Sequence, residues 1–298
     1  QLSGRVLVRN TSTSIGIPFQ YLLTLLAPDF FGNPVTRNDW FGTYAEWSGY
    51  TGLAALPLSI LAIAIFYKKK TIWPFLAIGI AGILLSVQNP LLSLLSSLPI
   101  PILSNSNPSR AVVLFSFAIS ILSGFGLEQI INNWEKVKVK FLSILITVTI
   151  IFIIVITIIF FGKNFFSPDV ANSLRLVSLR NLIFPFGMLI AVWTLMAGLW
   201  FKLKWKMLII FFLLLVSTLE MLRFYAKWTP FDAKTSFYKE TPITDFLQKQ
   251  EGYYRFYGQF GQTAGYFHHI LATDGYEPLN LLSYSQLIAG AQNGQLRQ

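Results

Sequence analysis

No cysteine occurs among the 298 residues of the chain, which excludes disulfides, thiolate metal sites and a cysteine nucleophile. Histidine is almost as scarce: His268 and His269 are the two. As neighbours they point to opposite faces of a strand, or about 100° apart on a helix, an awkward geometry for a shared metal. Charged residues make up 12% of the chain, about half the share found in soluble domains. No Walker loop, dinucleotide fingerprint, HExxH or nucleophile elbow is present, so the signatures of the common soluble enzymes are missing. Also missing are an initiating methionine, a basic n-region and a signal-type apolar segment ahead of Gln1. The expectation is a piece of a longer protein.

Apolar sequence fills the space these residues leave. Hydrophobic residues make up 54% of the chain, mean hydropathy is +0.56, and there are 27 phenylalanines. A chain of this composition belongs mostly in lipid. The net charge of +10 does not point to nucleic acid, and no nucleic-acid partner is expected. The lysines sit in short clusters between long apolar runs, the pattern that orients membrane helices.

The organising stretch is Pro108 to Gln129, where Arg110 and Glu128 bracket an uncharged run long enough to cross a bilayer. Further spans are predicted over 48–67, 71–87, 141–161, 181–201 and 207–225. Lysine triplets fall between them: Lys68, Lys69 and Lys70, then Lys136, Lys138 and Lys140, then Lys202, Lys204 and Lys206. The loop 89–107 has no lysine or arginine. The lysine loops are therefore assigned to the cytoplasm, and both ends of the chain to the outside of a multi-pass cell-membrane protein. The stretch 15–27 is too short to span and reads as an interfacial or re-entrant helix, and the Pro-broken loop 89–107 as one that dips toward a cavity.

The expected fold is an all-α polytopic membrane protein of about six transmembrane helices with re-entrant or interfacial segments, followed by part of an α/β extracytoplasmic domain. Its domains are an extracytoplasmic or interfacial segment over 1–47, a six-helix membrane domain over 48–225 and a truncated outer domain over 226–298. In the last, Thr241-Pro242 reads as a capped helix start, with Gly252 as its stop. Tyr253 to Phe260 reads as a strand, Gly261, Gly265 and Gly275 as turns, and Leu281 to Ile288 as a helix.

Candidate chemistry lies at the outer membrane face. Arg110 opens a span, and Glu220 and Arg223 are three apart, so they can pair on one helix face. Asp29, Asp39, Glu46, Arg175 and Arg180 fall on the same side. Two readings stand side by side. One is interfacial anchoring plus a helix salt bridge. The other is a pocket in which arginines hold a lipid phosphate and a carboxylate positions an acceptor hydroxyl or a divalent metal. Trp40, Phe41, Tyr44, Trp47 and Tyr50 are either a headgroup belt or a sugar-stacking surface.

Several motifs occur in order along the chain: Pro28-Asp29-Phe30-Phe31-Gly32, Tyr44-Ala45-Glu46-Trp47-Ser48-Gly49-Tyr50-Thr51-Gly52, Pro108-Ser109-Arg110, Ser123-Gly124-Phe125-Gly126-Leu127, and Asp274-Gly275-Tyr276-Glu277-Pro278-Leu279 with Ser283-Tyr284. In this ordered set the chain resembles the YfhO family of bacterial multi-pass membrane proteins. The resemblance implies a GT-C-type glycosyltransferase that moves a sugar from a polyprenyl-phosphate donor to a cell-envelope polymer or lipid on the outer face. It also implies an acidic loop after a first helix, upstream of Gln1. Within this chain Glu46 is the candidate catalytic base, and Arg110, Trp47, Tyr44, Glu220 and Arg223 are candidates for substrate binding. No cofactor is indicated beyond the divalent metal a carboxylate could hold. A lipid or polysaccharide transporter or flippase and a non-catalytic envelope scaffold are the alternatives; the lack of mid-span charge counts against ion-coupled transport.

Overall fold

The computed structural model describes residues 16–98, 107–161, 172–201, 203–228, 233, 239–252, 254–256 and 264–273. Ser14–Thr229 forms one compact unit, and the residues described after Pro230 belong to another. The described chain is helical, and its two isolated β-bridges, Ile17 with Val87 and Phe256 with Ala272, build no strand. Three helices are long and apolar enough to cross a membrane, over Pro108–Ile159, Asn172–Phe201 and Lys206–Trp228.

The first unit begins with a 3-10 helix, Phe19–Leu25, where an interfacial helix is expected. Next come a short α1 (Tyr44–Trp47), α2 (Ala55–Phe66) and α3 (Trp73–Ser86). With 12 and 14 residues, α2 and α3 fall short of the roughly 20 a helix needs to cross alone. The span predicted over 48–67 is therefore too long, whereas 71–87 matches the helical stretch Lys70–Ser86 made by a 3-10 turn and α3. Gly52 takes φ +91 and holds the chain out of helix ahead of α2. The lysine triplet that follows Tyr67 bounds its other end. In the loop expected to be irregular, Asn89 caps α4 (Pro90–Ser97) by accepting from the Leu92 N–H at 3.0 Å.

The long helix α5 (Val112–Phe161) runs through the segment expected to be a lysine loop, with one non-helical residue, Asn133 (φ −133°, ψ 31°). Fifty residues in a straight rod would reach about 75 Å, but its partners show it doubling back. Ser116, near the start, donates to the Gly49 carbonyl, and Lys206 donates to the Ile131 carbonyl. Beyond Asn133, Lys138 lies over the Trp200 ring, Trp193 donates to Thr149 at 2.9 Å and Phe152 meets Phe186. Phe184 in turn lies under Arg223, and Phe224 lies against Tyr50, next to Gly49. The two arms of α5 therefore descend to the lysine end and return from it.

Helix α6 (Asn172–Phe201) runs back along the second arm, and α7 (Lys206–Trp228) runs back along α6. Helix α6 starts earlier than the predicted 181–201, so Arg175 and Arg180 stand on helix rather than in a loop. Pro185 lies inside α6 and is buried there. The first arm packs closely on α2: a Cβ on Gly126 would sit 2.0 Å from the Leu58 carbonyl oxygen. On the outer flanks the usual burial pattern is inverted, with Ile183 and Phe201 70% and 81% exposed, as lipid-facing side chains are.

In the second unit, α8 (Pro242–Gln248) starts as expected, with Thr241 accepting from the Thr244 N–H and Thr244 answering the Thr241 N–H. Gly252 takes φ +102 beyond its end. A short α9 (Ala264–Phe267) follows, and the bridge from Phe256 to Ala272 is all that stands for the sheet of an α/β domain among the described residues. The predicted features at 253, 257–260, 261, 275 and 281–288 and the motif 274–284 lie outside the described residues.

Candidate functional site at the end opposite the lysines

Three lysine segments meet at one end of the first unit. Lys140 donates to the Ala64 carbonyl, just before the Lys68-Lys69-Lys70 turn, and Lys206 reaches Ile131 across the bend of α5. Of the carboxylates named from the sequence, Glu46, Glu220 and Asp29 lie at the opposite end, each with partners of its own.

Glu46 and Arg110 form the first. Asn107 caps a 3-10 turn over Pro108–Ala111 by accepting from the Ser109 N–H and hydroxyl, which points Arg110 toward α1. Its Nη2 donates to Glu46 Oε1 at 2.7 Å, and the Asn107 amide donates to Oε2. Both side chains keep contact with solvent, 68% for Arg110 and 31% for Glu46, so a ligand can reach the pair and compete for it.

Glu220 forms the second. At 2% exposure it is buried between α7 and the turn before α2. Tyr50 donates its hydroxyl to Oε1, and the Leu53 N–H donates to both oxygens at 3.3 and 3.2 Å. The expected pairing with Arg223 does not occur. Helix spacing brings positions i and i+3 to one face, but the buried carboxylate takes donors that come to it from 170 residues away. Arg223 instead lays its guanidinium over the Phe184 ring, 3.7 Å from the centroid.

Asp29 is the third, and its partners come from distant parts of the chain. Its carboxylate accepts from Asn33 at 2.8 Å, from Tyr44 at 2.7 Å and from Lys227, while Asn181 and Ser178 donate to the carbonyls of Asp29 and Phe30. Burial pushes the Asp29 carboxyl up, but the hydrogen bonds from Asn33, Lys227 and Tyr44 outweigh it and hold it below its ordinary value. The loop that carries Asp29 is thereby tied to α6 and α7.

The aromatic residues pack mainly on one another. Tyr21 stacks on Phe31 at 5.2 Å and meets Trp47 edge-on, and Phe31 also meets Trp40 and Phe41. Tyr44 stacks on Trp228 at 5.2 Å, so its ring is not free to take a sugar face. Trp47 remains half-buried beside Glu46. His268 is buried against Phe267 and His269 is exposed. No group of three His, Asp or Glu side chains able to hold a metal occurs among the described residues.

Beside Asp29 a groove of about 560 Å³ opens between α6 and α7. Arg180, Arg223 and Lys227 line it with Asn181 and Thr36, and Ile183, Phe184 and Met188 form its apolar wall. Lys227 did not stand out in the sequence as one of its members, although it follows Arg223 by one helical turn. No known protein family, curated protein or solved structure matches the chain.

Proposed function

We propose that the chain is part of a polytopic membrane glycosyltransferase of the YfhO type, which takes a sugar from a polyprenyl-phosphate donor and passes it to a cell-envelope polymer or lipid on the outer face. The supporting observation is the solvent-accessible Arg110–Glu46 pair, which lies away from the lysine end. In this reading the two arms of α5, α6 and α7 cross the membrane, α2 and α3 complete six passes with the non-helical and 3-10 residues at their ends, and the lysine end faces the cytoplasm.

The resting pair is a held base. A donor phosphate competes for the Arg110 guanidinium, which can grip two phosphate oxygens at once, and Glu46 is released to the acceptor. The acceptor oxygen then attacks the anomeric carbon and forms the new C–O bond, and its proton passes to Glu46. The bond from the anomeric carbon to the phosphate oxygen breaks with its electron pair, and Arg110 neutralises the departing polyprenyl phosphate. Trp47 lies beside this path, whereas Tyr44, Glu220 and Arg223 have other partners.

Transfer from a polyprenyl-phosphate sugar in membranes carrying the full-length protein tests the reading. Glu46→Gln is expected to lower turnover about 100-fold while donor binding persists. Arg110→Lys keeps the charge but loses the fork, and is expected to weaken both donor affinity and rate. Parental affinity and rate in both Arg110→Lys and Arg110→Ala would leave the pair as an interfacial anchor.

A further inference from the structure

The groove between α6 and α7 is chemically unlike the Glu46–Arg110 pair, and three features describe what fits it. The first is charge. Arg180, Arg223 and Lys227 bring three cations, of which Lys227 is shared with Asp29. About two positive charges are left, matching the −1.5 to −2 that a phosphate monoester carries near neutrality. Neither Arg180 nor Arg223 forms an ion pair with a carboxylate among the described residues, and Arg223 is held in place by stacking on Phe184.

The second feature is the wall. Ile183, Phe184, Gly187 and Met188 lie along the face of α6 that runs from Arg180 toward the lysine end. The flank continues into Ile190, and Ile183 and Ile190 are exposed as lipid-facing residues are. An ion with no apolar part would leave this wall unused. The third feature is a gap at Gly187, where an added Cβ would meet nothing within 4 Å. Both the wall and the gap lie on the path a chain would take in leaving a headgroup held by the arginines.

We infer that this groove binds the phosphate headgroup of an anionic lipid, with Arg180, Arg223 and Lys227 on the phosphate and the first carbons of the tail against Ile183, Phe184 and the Gly187 gap. The site goes beyond the transferase reading and does not depend on it, since neither Glu46 nor Arg110 takes part.

Calorimetry on the purified protein in an uncharged detergent tests the inference, with dihexanoyl phosphatidic acid, dihexanoyl phosphatidylcholine and inorganic phosphate as probes. Phosphatidic acid is expected to bind at least about tenfold more tightly than either of the others, because only it offers both the doubly charged head and the tail. Arg180→Gln with Arg223→Gln should weaken it about 100-fold, on the basis of about tenfold for each charge-assisted contact. The paired lysine substitutions at the same positions keep the charge but lose the fork and the stacking on Phe184, so they should bind more weakly than the parent and more tightly than the glutamine pair, which separates loss of charge from loss of fold. Gly187→Leu fills an open gap in a helix that tolerates it, and should abolish the preference for phosphatidic acid over inorganic phosphate. Unchanged binding in the double glutamine variant would overturn the site. Inorganic phosphate binding as tightly as phosphatidic acid, or Gly187→Leu leaving the preference intact, would overturn the lipid as its occupant.

Discussion

Tyr50 donates its hydroxyl to the carboxylate of Glu220 across 170 residues of chain, and thereby fastens the turn before α2 to the half of α7 that lies away from the lysines. Leu53 adds its N–H to the same carboxylate. Gly52 allows this approach: it takes φ +91, and a Cβ there would lie 3.3 Å from Glu220 Oε2.

Removing one member of this buried pair should leave the other short of a partner. Tyr50→Phe and Glu220→Gln are each expected to destabilise the detergent-solubilised protein by about 1 to 3 kcal/mol. The double variant should lose less than the sum. Glu220→Gln and Arg223→Gln, by contrast, should combine additively. Thermal unfolding of both cycles checks this, and coupling in the second without coupling in the first would restore the helix pair that spacing alone suggests.

Asp29 gives the fold an acid sensitivity of definite sign. Its carboxyl is depressed below 3.8 in the folded chain, so the stability it confers is fully present above that value. It is lost as pH falls from 3.8 through the folded value, where the proton displaces the bonds from Lys227, Asn33 and Tyr44. Asp29→Asn should unfold at lower temperature at pH 7, and its unfolding temperature should fall less than the parent's between pH 5 and pH 3. Parallel curves for the two proteins would show that Asp29 contributes nothing to the acid response.

The close crossing of α2 and α5 makes Gly126 and Gly124 a matched pair of tests. A Cβ at Gly126 collides with the Leu58 backbone, whereas one at Gly124 meets nothing within 4 Å. Gly126→Ala is expected to cost about 1 to 3 kcal/mol through the backbone shift it forces. Gly124→Ala should be neutral or stabilising by about 0.5 to 1 kcal/mol, since alanine is the better helix former. Equal effects on the unfolding temperature would mean that the helices do not pack as described.

The absence of cysteine permits a direct test of sidedness. Single cysteines at Lys69, Lys136, Lys204 and Thr43, all exposed positions, can be treated in intact cells with a thiol reagent that does not cross membranes. Only the Thr43 position should react. Reaction at two of the lysine positions would reverse the assignment of the lysine end to the cytoplasm.

What could be read in advance follows the range of the interactions. Lysine clustering is a local pattern, and Lys140 on Ala64, Lys138 over Trp200 and Lys206 on Ile131 show the three segments sharing one end. Glu46 and Arg110 were named for their local surroundings and meet at 2.7 Å. Interactions that depend on distant partners were not legible. Nothing near Asp29 announces Lys227, 198 residues away, and nothing near Glu220 announces Tyr50. Helix ends were misplaced for a related reason. Hydropathy reports apolar length, whereas α2 begins only after Gly52 has set the backbone and α6 begins at Asn172, ahead of its apolar run.

Pro185 carries a consequence for the groove on α6. An imino nitrogen has no proton, so the helical donor that would meet the carbonyl of Asn181 does not exist, and the ring crowds that same carbonyl. Asn181 lies in the groove beside Arg180, and its side chain is already committed to Asp29. The turn of α6 that carries Arg180 and Asn181 is thus held by one backbone hydrogen bond fewer than its neighbours, and the tie from Asn181 to the Asp29 carbonyl supports it from outside the helix.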